Sequence, residues 1–330
     1  MIDSIARIWR PELYHGNNKY DKFFEGWYYK NVSENGTSIL SVIPGIIKST
    51  LADKQHAFIQ FIDGITRESH YIKFDTEQFQ AVNDRFEIQI GNCFFSQDRI
   101  FIDIQQENFR AFGELNFKGL TPWSSSLLSP GVMGRYSFVP FMECNHGIIS
   151  LNHRTRGKLL INKNIYLFTY GKGYIEKDWG KSFPSSYIWL QSNNFDIKDV
   201  SLFCSIAKIP WIGGSFRGFI AGLYIGGKLY KFATYNGAKL GAIDFSKDKI
   251  SFCIRHKSHY LTISASRVDG GLLSAPYDNM MNEGRVKESL LSNVEVLLEE
   301  KSKKGLREIF KGSGKYAGLE IVGITDEITE

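Results

Sequence analysis

Apolar and polar positions alternate with a period of two through most of the chain. In RFEIQI, Phe86, Ile88 and Ile90 alternate with Glu87 and Gln89; in RIFIDIQ, Ile100, Ile102 and Ile104 alternate with Phe101 and Asp103. Successive side chains of a strand point to opposite faces, so this spacing predicts half-buried strands. Turn residues part the runs, as in SQD at 96–98. GFIAGLYIGGKLYKFATY reads as strand, Gly226-Gly227 turn, strand. KISFCIRHKSHYLTISA and VEVLLEEKSKKGLREIF repeat the scheme. A period of 3.6 surfaces only in the first ten residues and at 285–292, which are the two short helix candidates.

The expected class is therefore all-β. Sequential hairpins suggest up-and-down antiparallel barrels, because closure removes exposed sheet edges. An eight-stranded barrel takes about 120–170 residues at ordinary strand and loop lengths. A chain of 330 residues then suits two barrels, expected at 1–168 and 169–330. FFEGWYYK (23–30) and IEKDWGKSFPSSYIWLQ (175–191) echo one another, each with a carboxylate shortly before a Trp.

Composition sharpens this picture in a few places. Aromatic residues reach 14%, which favours pleated surfaces and apolar pockets. The net charge is +5 with scattered Lys and Arg, so there is no nucleic-acid footprint; KSKKGLR at 301–307 reads as a solvated hairpin tip. Cys93, Cys144, Cys204 and Cys253 lie far apart without a CxxC pair, as buried free thiols in a reducing compartment would. The N-terminal stretch lacks the apolar segment of a signal peptide, and 199–227 is interrupted by Lys208, Arg217 and glycines. The sequence thus points to a soluble cytoplasmic protein.

Three stretches carry candidate chemistry. On a strand, Glu25 shares a face with Trp27. Facing a barrel interior, such a carboxylate would be desolvated and protonated; alternatively it pairs with a Lys or Arg. SPGVMGRYSFVPFMECNHGIISLNH (129–153) contributes Arg135, Glu143, His146 and His153, with Tyr136 in the same run. Without a helical HExxH these are not expected to bind metal, and a hydrogen-bonded Glu–His pair is the better expectation. GKGYIEKDWGKSFPSSYIWLQSN (171–193) sets Glu176 and Asp178 on one face, with Lys177 and Trp179 opposite. Two neighbouring carboxylates do not both ionise cheaply. Trp189, Gln191 and Asn193 follow on the next strand as an aromatic wall and polar anchors. A ladder of Lys–Glu ion pairs over a structural tryptophan would use the same residues.

FFEGWYYK, SPGVMGRYSFVPFMEC, GKGYIEKDWGKSFPSSYIWLQSN and FATYNGAKL together resemble the tocopherol cyclase family and its bacterial tocopherol cyclase-like members. The blocks span Pro11 to about Gly323, and the pair around Trp27 and Trp179 is also similar to a broader lipocalin-like superfamily, which implies two barrel-like domains. The resemblance implies protonation of an isoprenoid alkene and capture of the tertiary cation by a phenol oxygen, or by water in related hydratases. That chemistry needs a desolvated general acid and an aromatic cavity, and neither a metal nor another cofactor. For that acid the candidate is Glu176, which lies in the most family-specific motif beside a second carboxylate, with Glu25 and Glu143 next in order. Trp27, Trp179 and Trp189 would wall the cavity, and Asp178, Gln191, Asn193, Tyr136 and His146 would hold polar atoms. Plant members carry Asn where this chain has Asp178, which favours Glu176. The implied partner is a prenylated or lipidic small molecule, collected through peripheral contact with a membrane. The competing expectation is a lipocalin-like carrier that binds an apolar metabolite unchanged.

Overall fold

The computed structural model describes residues 7–140, 142–277, 280–323 and 328, with the side chains of Met280 and Glu283 left out. The first sheet has eleven strands: β1 (Phe23–Val32), β2 (Ile39–Lys48), β3 (His56–Asp63), β4 (Ser69–Phe74), β5 (Phe79–Ala81), β6 (Glu87–Ile90), β7 (Cys93–Ser96), β8 (Arg99–Gln106), β9 (Phe109–Lys118), β10 (Cys144–Ile161) and β11 (Asn164–Gly180). Its order is β4-β3-β2-β1-β11-β10-β9-β8-β7-β6-β5, all antiparallel where paired.

The two ends of that path, β4 and β5, are neighbours in the chain, joined through 75–78. Laid flat, eleven strands would span about 48 Å at the usual spacing, whereas that link reaches at most about 18 Å. The sheet must therefore curl until its edges meet. The Gln106 side chain of β8 donates to the Lys73 carbonyl of β4 at 3.4 Å, and Phe61 of β3 packs on Phe109 of β9 at 5.6 Å.

The second sheet repeats the device. Its strands are β12 (Tyr187–Ser192), β13 (Asn194–Phe195), β14 (Val200–Trp211), β15 (Gly214–Ile225), β16 (Lys228–Ala233), β17 (Lys239–Phe245), β18 (Lys249–His256), β19 (His259–Ser266), β20 (Gly271–Tyr277), β21 (Met280–Ser302) and β22 (Gly305–Val322). The order is β16-β15-β14-β12-β22-β21-β19-β18-β17, with β13 and β20 off the path. Its ends, β16 and β17, are bridged by the short TYNGA link, where Gly237 takes a left-handed φ of 84° that a side chain would disfavour. FATYNGAKL is thus the piece that closes the second barrel. The protein is all-β, with two lipocalin-like antiparallel barrels.

Two compact units result: one comprises residues 1–183 with 272–285, the other 184–271 with 286–330. The residue-168 boundary expected from the sequence falls within β11, and its hairpin with β10 stays whole in the first unit. Phe86, Ile88, Ile90, Ile100, Ile102 and Ile104 all join the first core, as their alternation predicts. Residues 285–292, expected as a helix, lie inside β21. Of the first ten residues, 7–9 form one 3-10 turn, and 1–6 lie outside the described residues.

Candidate functional site

Three adjacent strands of the first unit build the site. Across β1 and β11, Glu25 stands opposite Trp179, Trp27 opposite Lys177, and Tyr28 opposite Glu176. Across β10 and β11, Asn145 stands opposite Trp179 and His146 opposite Asp178. Opposed residues of an antiparallel pair share a face. The YIEKDW run therefore splits. Ile175, Lys177 and Trp179 point to the core side with Trp27 and Tyr29, whereas Tyr174, Glu176 and Asp178 point to the other side with Tyr28 and His146.

On the core face, Glu25 and Lys177 are fully buried and form an ion pair. Lys177 also donates to the Leu13 carbonyl and contacts His15 Nδ1 at 2.7 Å. The His15 backbone N–H donates to both Glu25 oxygens at 2.9 Å. The ammonium lies 5.0 Å from the Trp27 ring and 4.5 Å from the Trp179 ring, and His15 stacks on Trp179 at 4.4 Å. Burial drives the Lys177 pKa down to about 8, although Glu25 favours its charge. Burial alone would raise Glu25, but Lys177 and His15 outweigh it and hold the carboxyl below its ordinary value. Of the two readings the sequence left open for Glu25, a protonated acid or the partner of a cation, the structure shows the second, with Lys177 as the cation.

The opposite face is organised differently. His146 Nδ1 lies 2.6 Å from Asp178 Oδ1, and Nε2 lies 3.3 Å from Glu176 Oε2. The Tyr174 hydroxyl donates to that same Glu176 oxygen. Burial works against the His146 cation, but Asp178 and Glu176 raise its pKa to about 10, so it is an imidazolium at neutral pH. Burial raises Glu176 above its ordinary value, while His146 and the Tyr174 bond pull the other way. With two donors on Oε2, the proton of the acid form belongs on Oε1. Tyr28 meets Tyr174 edge-on at 6.5 Å, which sets aromatic rings beside the acid.

His146, Glu176 and Asp178 each offer an atom within 4.8 Å of the others, and among the described residues they are the group able to close on a metal ion. Protons would compete with such an ion for the imidazole. The expected Glu143–His146 pairing gives way to His146 with Glu176 and Asp178. Glu143 is half-buried, its pKa raised by burial against Arg285 and Lys181. His153 is buried beside Phe117, and burial lowers its pKa to about 3. Tyr136 lies in the 3-10 turn Gly134–Phe138. Trp27 is sealed in the first core, with its N–H on the Glu12 carbonyl, and Trp179 covers Lys177. Neither lies on the Glu176 face: Trp179 lies on the side opposite that acid, as the alternation predicts, and Trp27 joins it on the core side, away from the cavity wall expected around the acid.

Trp189 and Gln191 lie on β12 and Asn193 just after it, all buried in the second unit. There Tyr187 donates to Glu320 at 2.6 Å, and Glu320 stands opposite Glu288 across β21 and β22. The sequence reading missed these buried acids, because nothing in their strands marks them as a pair. Tyr174 could have been found, since it shares the alternation of Glu176 and Asp178.

A family model described as tocopherol cyclase-like matches residues 114–323. The chain belongs to the tocopherol cyclase-like family. All of the Tyr174–Glu176–Asp178–His146 cluster lies within the part this family defines, whereas His15 and Glu25 precede it. Among solved structures the chain resembles CghA at 10% identity, covering 91% of this chain and 88% of that one with a TM-score of 0.55. It also resembles a protein assigned as AttH from Nitrosomonas europaea at 13% identity, covering 93% and 94% with a TM-score of 0.50. These likenesses concern the fold. No curated protein matches the sequence. Among the described residues, no helix is long and apolar enough to cross a membrane.

Proposed function

We propose that this tocopherol cyclase-like protein is an acid-catalysed cyclase or hydratase of an isoprenoid alkene, with Glu176 as proton donor. One observation carries the reading: a buried carboxyl with a raised pKa, whose conjugate base is met by an imidazolium and a phenol hydroxyl. Burial keeps a proton available, and His146 and Tyr174 stabilise the carboxylate left behind. In the step, the alkene π electrons take the proton from Oε1 and leave a tertiary cation. A phenol oxygen of the same molecule attacks the cation and closes the ring, and the phenol proton returns to Glu176. Water attack instead gives the alcohol. Tyr28, opposite Glu176 across the strands, and Tyr174 place aromatic rings beside the acid, where a cation would be favoured. The substrate class is a prenylated or lipidic molecule, collected by peripheral membrane contact on the cytoplasmic side.

Incubation with prenylated hydroquinones, followed by mass spectrometry, tests this. Cyclisation yields an isomer of unchanged mass, and hydration adds one water. Glu176→Gln should lower turnover by about 10²–10⁴-fold with ligand binding retained. Ligand bound and released unaltered by the parent protein would replace the enzyme with a carrier. Activity of Glu176→Gln within about threefold of the parent would assign the proton to another group.

A further inference from the structure

A cavity of about 390 Å³ opens at the end of the first barrel where β4 and β5 close the ring. Tyr14, Tyr20 and Phe79 supply aromatic surface, and Lys19, Lys48 and Gln55 supply polar groups. No carboxylate is among its lining residues. Tyr20 is 75% exposed at the rim, whereas Tyr14 is 5% exposed at the base. Lys48 is half-buried, held by the Gly16 carbonyl at 2.7 Å with its ammonium 5.5 Å from the Tyr14 ring. The volume lies within the range of small-molecule sites, about 300–1,000 Å³.

We propose that this cavity is a binding site for an aromatic anion, an aryl carboxylate or sulfonate, separate from the Glu176 site. The rings would stack on Tyr14, Tyr20 and Phe79, and the anionic group would meet Lys19 and Lys48. Two cations without a lining acid select against positive ligands, and the aromatic walls select against small hydrated anions. The cavity also has a reporter beneath it: Trp27 stacks on Phe79 at 6.5 Å and lies 6.4 Å from Tyr14.

The probe is 1-anilinonaphthalene-8-sulfonate, with neutral N-phenyl-1-naphthylamine as its uncharged counterpart, followed by quenching of tryptophan emission in the full-length protein. The sulfonate should bind saturably, one per chain. The exposed charge reversal Lys19→Glu, and Lys19→Glu with Lys48→Gln, should weaken it by about tenfold or more. The neutral probe should change by less than about twofold, and Glu176→Gln should leave both unchanged. Lys19→Glu is at an exposed position and tests the idea even if the double variant fails to fold. Equal sulfonate affinity in parent and Lys19→Glu, or an equal loss for the neutral probe, would overturn the assignment.

Discussion

The two sides of β11 place ionisable groups from one short run in contrasting settings. Toward the core, Glu25 and Lys177 are buried together, and each compensates the other. Away from it, Glu176 and Asp178 both reach one imidazolium, His146. The first arrangement is closed: opposite charges match, the aromatic rings of Trp27 and Trp179 enclose the ammonium, and the N-terminal stretch supplies the remaining acceptors. The second sets two carboxylates against the same imidazolium, and burial with the neighbouring Asp178 raises the Glu176 pKa. The matched pair serves structure, and the raised acid is the group to which the proposed proton transfer is assigned.

The largest expected effect breaks the balanced side. Lys177→Met leaves Glu25 buried without its cation and should cost about 3–5 kcal/mol in denaturant unfolding. Adding Glu25→Leu should recover much of that loss, because an apolar pair replaces an ionic one. A small cost for the single variant would remove the contrast between the two faces.

A second test uses opposite pH slopes. His146 has its folded pKa raised from 6.5 to about 10, so the stability it contributes is complete below 6.5 and lost as pH rises through about 10. Lys177 runs the other way: its folded pKa is depressed from 10.5 to about 8, so it opposes folding below about 8 and that penalty fades toward 10.5. In His146→Gln the decline of stability between 6.5 and 10 should therefore disappear. An unchanged slope would mean that His146 is not held as an imidazolium. The same variant should move the alkaline limb of turnover to higher pH, since His146 lowers the Glu176 pKa.

The smallest effect sharpens the Glu176 side. Tyr174→Phe removes one hydroxyl from Glu176 Oε2 and should lower turnover about tenfold, as loss of a hydrogen bond to a charged group does. Its stability should change by less than about 1.5 kcal/mol.

Much of the fold was legible because barrels repeat a two-residue period and mark their turns. The split of Glu176 and Asp178 from Lys177 and Trp179 followed from that period alone. The partners were not legible, since they depend on register between distant strands. Lys177 meets Glu25 only because Trp27 lies opposite it, and His146 meets Asp178 in a β10–β11 ladder that shifts register between Ile148 and Ser150. Register also decides what the tryptophans do: Trp27 and Trp179 come together around Lys177 because β1 pairs Trp27 with it, which the run around either tryptophan does not reveal. Residues 285–292 read as helical because their apolar spacing suits 3.6, yet pairing within the long β21 overrides it.

The central claim is that Glu176 carries a proton at pH values where ordinary carboxylates have lost theirs, and infrared titration measures this without a substrate. The carbonyl band of a protonated acid, followed as pH rises past the usual carboxylate range, should persist in the parent protein and in Glu25→Gln, and vanish in Glu176→Gln. Loss of the band with the ordinary carboxylates, or its survival in Glu176→Gln, would contradict the assignment of Glu176 as the acid.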